Sequence, residues 1–233
     1  LPRRTRERFT DRALRLSLRL VTRVLGLGHR LGGWANTPLI EALPGQALRR
    51  RAVDLKLQDK VALITGSSRG IGLATAKAFA AEGCCLVLSA RSAESLAAAE
   101  AALRADGVAV VSCLADVGQP DQAARLVEAA VAAFGGIDIL VNNVGGGGGG
   151  ARIADSTDEE WRGALERNLI QTVRMMRLAL PHMHGRAGAA VINVASISGF
   201  IPGPGMSVYN ASKAYVISFS EGLRRELRPK GIR

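Results

Sequence analysis

Short apolar runs alternate with alanine- and leucine-rich segments from residue 61 to residue 193, and this alternation constrains the fold more than any other feature of the chain. The apolar runs are rich in strand-forming residues, and the longer segments between them are rich in helix formers. We expect strands at residues 61–64, 86–89, 108–113, 137–141 and 190–193, with helices at 73–81, 93–105, 121–134 and 158–180. Such alternation builds βαβ units, so the pattern predicts an α/β fold, a doubly wound parallel sheet with helices on both faces.

A glycine-rich turn follows the first predicted strand. Glycines stand at positions 66, 70 and 72, in the spacing Gly-x-x-x-Gly-x-Gly, and alanine-rich helical sequence follows. A turn of this kind aims backbone N–H groups and the positive end of a helix dipole at a phosphate, and glycine permits the close approach. It therefore predicts a pyrophosphate site, with a plain strand-to-helix turn as the alternative. The residues concerned are Gly66, Ser67, Ser68, Arg69, Gly70, Ile71 and Gly72.

Tyr209 and Lys213 are four residues apart, so a helix would place them on the same face, one turn from each other. A phenol with an ordinary pKa of about 10 is a weak proton donor near neutrality, but an adjacent cation stabilises the phenolate. We interpret the pair as a tuned general acid and base. Because Tyr-x-x-x-Lys also occurs by chance, this interpretation depends on the motifs that precede it.

Taken in order, five motifs of the chain resemble those of the short-chain dehydrogenase/reductases. They are the turn at 65–72, the Asn-Asn-Val-Gly segment at 142–145, Asn168, Ser196 and the Tyr209/Lys213 pair. The resemblance covers residues 57 to 233 and is strongest to the single-domain branch, with its 3-oxoacyl-ACP reductase-like enzymes. Val144 stands where the family usually has alanine. The resemblance implies a Rossmann-like fold.

The resemblance also implies a catalytic tetrad of Asn168, Ser196, Tyr209 and Lys213. Tyr209 would give a proton to a carbonyl oxygen as hydride arrives from the nicotinamide, and Lys213 would lower its pKa and hold the nicotinamide ribose. Ser196 would hydrogen-bond the same oxygen, and Asn168 would hold a water. The implied activity is reduction of a 3-oxoacyl, polyketide or steroid-like ketone, or the reverse oxidation. A non-catalytic nucleotide-binding or membrane-associated protein that retains the fold is the alternative.

The end of the second predicted strand bears on the choice of cofactor. An Asp or Glu at this point usually binds the ribose 2′-hydroxyl of NAD, whereas arginine suits the 2′-phosphate of NADP. Here the strand runs into Arg91, with no acid before Glu94, and Arg69 in the glycine turn is a second phosphate ligand. The sequence therefore favours NADP(H) over NAD(H). By resemblance, the other cofactor contacts would be Asp116 and Val117 at the adenine, and Asn143, Gly145, Tyr209 and Lys213 towards the riboses.

Other partner classes find little support in the composition. His182 and His184 have no neighbouring acidic or cysteine partners, so no metal site is expected. The three cysteines form no C-x-x-C pattern, which favours incidental thiols in a reducing, cytoplasmic setting. Aromatic residues make up 4% of the chain and offer no stacking platform for nucleic acid. A small-molecule carbonyl or alcohol is the expected substrate.

The net charge of +11 is concentrated near the amino terminus. Residues 1–58 hold 13 Lys and Arg against 4 Asp and Glu, whereas residues 59–233 hold 18 against 16. We expect a basic amphipathic helix within an extension at 1–55, followed by an NAD(P)-binding catalytic domain at 56–233. Such a helix suits a membrane surface. A targeting peptide and a helix docked on the protein are the alternatives, but arginines interrupt every apolar stretch too early for a transmembrane span.

The carboxyl-terminal residues fall where the resemblance implies that a further strand begins. More strands, with a segment that covers the substrate, would follow it, so we expect the catalytic domain to be incomplete at this end. The resemblance also implies a homo-oligomer.

Overall fold

The computed structural model describes residues 55–146 and 153–233, and within them it contains a five-stranded parallel sheet. In chain order the strands are β1 (Val61–Ile64), β2 (Cys85–Ala90), β3 (Val110–Leu114), β4 (Ile139–Asn142) and β5 (Ala190–Asn193). They lie side by side in the order β3-β2-β1-β4-β5, and every neighbouring pair is parallel. The predicted α/β class is therefore confirmed.

Helices connect these strands. They are α1 (Gly70–Ala80), α2 (Ala93–Ala105), α3 (Pro120–Phe134), α4 (Asp158–Leu165), α5 (Gln171–Ala179) and α6 (Ser207–Leu227). A π-helical turn, Glu166–Ile170, joins α4 to α5, so the helix expected at 158–180 is continuous but wound differently in its middle. A 3₁₀ turn that contains Pro181 follows α5.

The sheet is buried on both faces in its central strands. Side chains alternate along β1, where Val61 and Leu63 pack with α3, α5 and α6, while Ala62 and Ile64 pack with α1 and α2. Strands covered on both faces by helices have near-continuous apolar sequences. This double cover confirms the prediction of helices on both faces and explains why the sequence runs show no polar alternation.

The start of α4 is held by a reciprocal pair of hydrogen bonds. Thr157 Oγ1 accepts the N–H of Glu160 at 3.2 Å, and Glu160 Oε2 accepts the N–H of Thr157 at 2.9 Å. This capping box satisfies two N–H groups that the helix cannot pair internally. It fixes the entry to the helix that carries Asn168.

Beyond β5, Arg233 hydrogen-bonds to that strand as a parallel neighbour does. Its N–H donates to Ala189 O at 2.9 Å, and its carbonyl accepts the N–H of Val191 at 2.8 Å. The helix expected within residues 1–55 lies outside the described residues. No helix among the residues that the structure describes is both long and apolar enough to cross a bilayer.

Candidate active site

The central strands β1 and β4 are neighbours although they are far apart in sequence, so the order of the sheet reverses between them. Connections leave this point in opposite directions and open a crevice at the carboxyl ends of the strands, where doubly wound folds bind ligands. The glycine turn follows β1 at this edge, and Asn143 follows β4. The topology thus brings two of the sequence motifs to one place.

The glycine turn has the backbone shape that the sequence predicts. Gly66 and Gly70 have positive φ values of 64° and 55°. A Cβ added at Gly72 would lie 2.2 Å from Gly66 O, whereas one at Gly70 would meet nothing within 4 Å. The turn is therefore closed on the protein side and open above Gly70. At the start of α1, Arg69 supplies no side-chain cap, so the first-turn N–H groups can face an anion in this cradle.

Ser67 is committed to the interior of the turn. Its Oγ donates to Ile64 O at 2.9 Å and accepts the N–H of Ser89 at 3.0 Å, and its own N–H donates to Ser89 O at 2.9 Å. Ser67 therefore shapes the turn and ties it to the end of β2. Its predicted contact with a cofactor remains a prediction.

Thr65 and Asn143 join the turn after β1 to the loop after β4. Thr65 Oγ1 accepts the N–H groups of Asn143 and Val144 at 3.0 and 3.1 Å. Asn143 Nδ2 in turn donates to the carbonyls of Thr65 and Gly66 at 3.0 and 3.2 Å. The first role of Asn143 is thus to hold the floor of the crevice. The bridging role of Thr65 could not be predicted from its place in the motif, because its partners follow β4, nearly 80 residues later.

The edge of the crevice beside β2 is exposed and cationic. The side chain of Arg91 is 76% exposed, with Nη1 4.0 Å from Asp116 Oδ2, and Arg69 is also exposed. Ser92 caps α2 by accepting the N–H of Ser95, and Ser95 Oγ donates to Ser68 Oγ at 3.0 Å. Two guanidinium groups therefore flank hydroxyls at a helix start.

Tyr209 and Lys213 lie on the same face of α6, as their spacing predicts. Lys213 Nζ is 5.9 Å from the centre of the Tyr209 ring and donates to Val194 O at 2.9 Å. Lys213 is only 5% exposed, and this burial lowers the pKa of its ammonium. The hydroxyl of Tyr209 makes no hydrogen bond with any residue that the structure describes, so its proton is available to a ligand.

Asn168 is the central residue of the π-helical turn and is buried. Its Oδ1 accepts the N–H of Gly146 at 3.0 Å, while its Nδ2 donates to the carbonyls of Gly146 and Ala164 at 3.1 and 3.0 Å. A Cβ added at Gly145 would lie 3.0 Å from Asn168 Oδ1 and 3.1 Å from Lys213 Nζ. Gly145 is therefore the point at which three predicted site residues meet.

Ser196 lies just beyond β5, two residues after the carbonyl that binds Lys213. Its Oγ accepts the N–H of Ser198 at 3.2 Å and thereby caps the 3₁₀ turn Ile197–Gly199. Within the described part of the chain its own hydroxyl proton has no acceptor. Ser196 and Tyr209 thus each keep one O–H group for a ligand.

The adenine side, as the resemblance implies it, is the turn after β3. Asp116 Oδ1 accepts the N–H of Gly118 at 3.0 Å, and Val117 is buried in the core. Arg174 donates to the carbonyls of Val117 and Gly118 from α5. Arg174 could not be identified from the sequence, because nothing in the local sequence indicates that α5 packs against this turn.

The sequence profile of the family described as short chain dehydrogenase matches residues 60–233. The chain belongs to the short chain dehydrogenase family. Among its relatives is "Dehydrogenase/reductase SDR family member 4" of Mus musculus, 34% identical over 206 residues, which are 88% of this chain and 73% of the mouse protein. The Homo sapiens protein of that name is 38% identical over 177 residues, 76% of this chain. The match spans 64% of the human protein's length.

Solved structures of oxidoreductases are similar to most of the chain. The L-sorbose reductase of Gluconobacter frateurii, complexed with NADPH and L-sorbose, is 40% identical with a TM-score of 0.75, covering 78% of this chain and 69% of that one. An enzyme from Burkholderia phymatum in complex with NAD is 34% identical with a TM-score of 0.71, covering 76% and 63%. These neighbours confirm the predicted family and the Rossmann-like fold, and place the chain among the NAD(P)-binding oxidoreductases.

Proposed function

We propose that this short chain dehydrogenase reduces a ketone with NADPH through Asn168, Ser196, Tyr209 and Lys213. The observation that carries the proposal is that the Tyr209 hydroxyl has no hydrogen-bond partner among the described residues and lies one helical turn from the buried ammonium of Lys213. A fixed cation beside a phenol stabilises the phenolate and so makes proton transfer feasible near neutral pH. Both side chains stand on one rigid helix.

Each residue of the tetrad has a distinct task in this reaction. Tyr209 gives its proton to the carbonyl oxygen, and Ser196 donates a hydrogen bond to the same oxygen and stabilises the charge that develops there. Lys213 stays oriented through its bond to Val194 O. Asn168 holds the backbone of Gly146, next to the Gly145 that lies beside Lys213, and a water bound there would refill the proton on Tyr209.

The cradle above Gly70 fits a dinucleotide pyrophosphate, because it combines open space with uncapped N–H groups at the start of α1. A bound nicotinamide cofactor supplies the hydride. Arg69 and Arg91 favour the 2′-phosphate of NADP, and the sorbose reductase crystallised with NADPH supports this choice. The Burkholderia phymatum enzyme is complexed with NAD, and we propose that the two arginines give this chain a preference for NADPH over NADH.

The substrate class that we propose is a ketone. The family resemblance points to 3-oxoacyl, polyketide or steroid-like ketones, and the sorbose reductase adds a keto sugar. All of these present a carbonyl oxygen to the two hydroxyl groups of the site. The test is NADPH oxidation by the purified chain with one ketone of each kind. Cofactor binding without turnover of any of them would favour the non-catalytic alternative, and absence of dinucleotide binding would refute the proposal.

A further inference from the structure

Three polar residues of the helix that runs from α4 to α5 each bind the backbone of a crevice loop. They are Asn168, Gln171 and Arg174, and each is three residues from the next, so that consecutive members are neighbours on the helix surface. Asn168 binds Gly146, as described above. Gln171 is buried, and its Nε2 donates to Val144 O at 3.2 Å and also to Arg167 O. Gln171 thus supports the loop after β4.

Arg174 makes the connection to the other loop, the turn after β3. Its Nη1 donates to Val117 O at 3.1 Å and to Gly118 O at 2.9 Å. The same nitrogen lies 2.8 Å from Glu166 Oε1, and the arginine side chain is only 19% exposed. A half-buried guanidinium with a carboxylate and two carbonyls as partners is held in one orientation.

Glu166 begins the π-helical turn that presents Asn168, and Arg174 lies eight residues later on α5. The ion pair therefore connects the first residue of the π turn to the helix that follows the turn. Through Arg174, one helix fixes the position of Asn168 and of the turn at 116–118. These two features are at opposite ends of the crevice in the proposed function.

We propose that Arg174 is a positioning residue for the dinucleotide, which sets the adenine wall of the crevice by clamping the carbonyls of Val117 and Gly118. This inference rests on the proposed function, in which Asp116 and Val117 face the adenine. Within the described part of the chain, Arg174 makes no hydrogen bond or ion pair with Ser196, Tyr209 or Lys213. Its loss should therefore weaken cofactor binding and leave the chemical step intact once cofactor is saturating.

The experiment compares Arg174→Gln with Arg177→Gln. Arg177 lies on the same helix and is exposed, and its side chain takes part in no hydrogen bond or ion pair within the described residues. Affinities for NADPH and NADH are measured by fluorescence titration, and hydrogen exchange of residues 116–119 is measured without cofactor. R174Q should lose roughly tenfold in affinity for both dinucleotides, the scale expected for lost hydrogen bonds to a charged donor. Its 116–119 amides should exchange faster, while R177Q should match the unsubstituted protein.

Steady-state kinetics provide the second readout. In R174Q the cofactor KM should rise as the affinity for the cofactor falls, and kcat should stay within about twofold of the unsubstituted value. Arg174→Lys should recover part of the affinity, since an ammonium can still reach one carbonyl. If R174Q does not fold, R174K and Glu166→Gln take its place in the same comparison.

If R174Q matches R177Q in cofactor affinity and in amide exchange, this inference alone is overturned. Where R174Q does not fold, the same result in both R174K and Glu166→Gln would overturn it. A fall in kcat at saturating cofactor with affinity unchanged would overturn it as well, because the residue would then act on the chemistry. Failure of the unsubstituted protein to bind either dinucleotide would overturn the proposed function and this inference together.

Discussion

Buried charged groups are paired differently at the amino ends and at the carboxyl ends of the parallel strands. At the amino end Asp138, just before β4, is 4% exposed in its side chain and is fully paired. Its carboxylate lies 3.3 Å from Lys60 Nζ and 2.8 Å from Arg186 Nη2, and it accepts the N–H of Val61 at 3.0 Å. This cluster ties the starts of β1 and β4 to the turn before β5.

At the carboxyl end, Lys213 is also buried, but the one hydrogen bond that its ammonium makes within the described residues is to the neutral carbonyl of Val194. The protons of Tyr209 and Ser196 have no acceptor in the described residues. The pKa values report the same contrast. Burial lowers the pKa of Lys213. Burial alone would raise the pKa of Asp138, but hydrogen bonds from Arg186 and the Val61 N–H, together with the charges of Arg186 and Lys60, lower it overall. One end satisfies its charges and stabilises the fold, and the other leaves polar groups available for chemistry.

The largest expected effect belongs to Tyr209→Phe, which removes the hydroxyl that would donate the proton at the carboxyl end of the sheet. Turnover should fall by roughly 10²- to 10⁴-fold, the usual contribution of general acid catalysis, while NADPH affinity and unfolding temperature stay nearly unchanged. Steady-state assays and a cofactor titration measure both. Tyr215→Phe is the matched control, because Tyr215 is on the same helix and stacks on Phe219. Turnover that survives in the Tyr209 variant would remove this residue from the proposed mechanism.

Asp138→Asn should produce the opposite pattern. We expect the free energy of unfolding at neutral pH to fall by about 2 kcal/mol, since hydrogen bonds to a charged group are lost, with kcat unaffected. The folded-state pKa of Asp138 is lowered, so its stabilising contribution is present above the unfolded value of about 3.9 and is lost as pH falls through the folded value. Urea unfolding of both proteins at neutral and acidic pH should therefore show a difference that shrinks with acid. A constant difference would contradict the role of the charge.

Lys213→Met tests whether the buried ammonium at the carboxyl end of the sheet lowers the stability of the fold. A buried ammonium without a carboxylate partner destabilises the fold, and methionine has a similar length. The variant should lose activity but unfold at the same or higher urea concentration, with a gain of up to about 1 kcal/mol. A clear loss of stability would show that the bond to Val194 O outweighs the cost of burial.

The sequence predicted the fold well because strand burial leaves a local mark. The apolar runs at 61–64 and 190–193 coincide with β1 and β5, and the helix at 93–105 coincides with α2. The π turn left no such mark, since one extra residue in a helical turn shifts the apolar pattern too little to be noticed. The contact of Arg174 with Gly118 and that of Asp138 with Lys60 could not be predicted either, because each joins segments more than 50 residues apart.

The smallest expected effect lies at the exposed edge of the carboxyl end, where solvent screens the charges. Arg91→Asp would place a second carboxylate beside Asp116, which Arg91 now approaches to 4.0 Å, and both would repel a 2′-phosphate. Because Arg91 is mostly exposed, the expected change is modest, a narrowing of the NADPH-to-NADH affinity ratio by roughly three- to tenfold. Arg125→Asp is the matched control, since Arg125 lies 3.9 Å from Asp121 on α3 and is similarly exposed. If both variants keep the affinity ratio of the unsubstituted protein, Arg91 does not bind the phosphate. The preference would then depend on Arg69 and the start of α2.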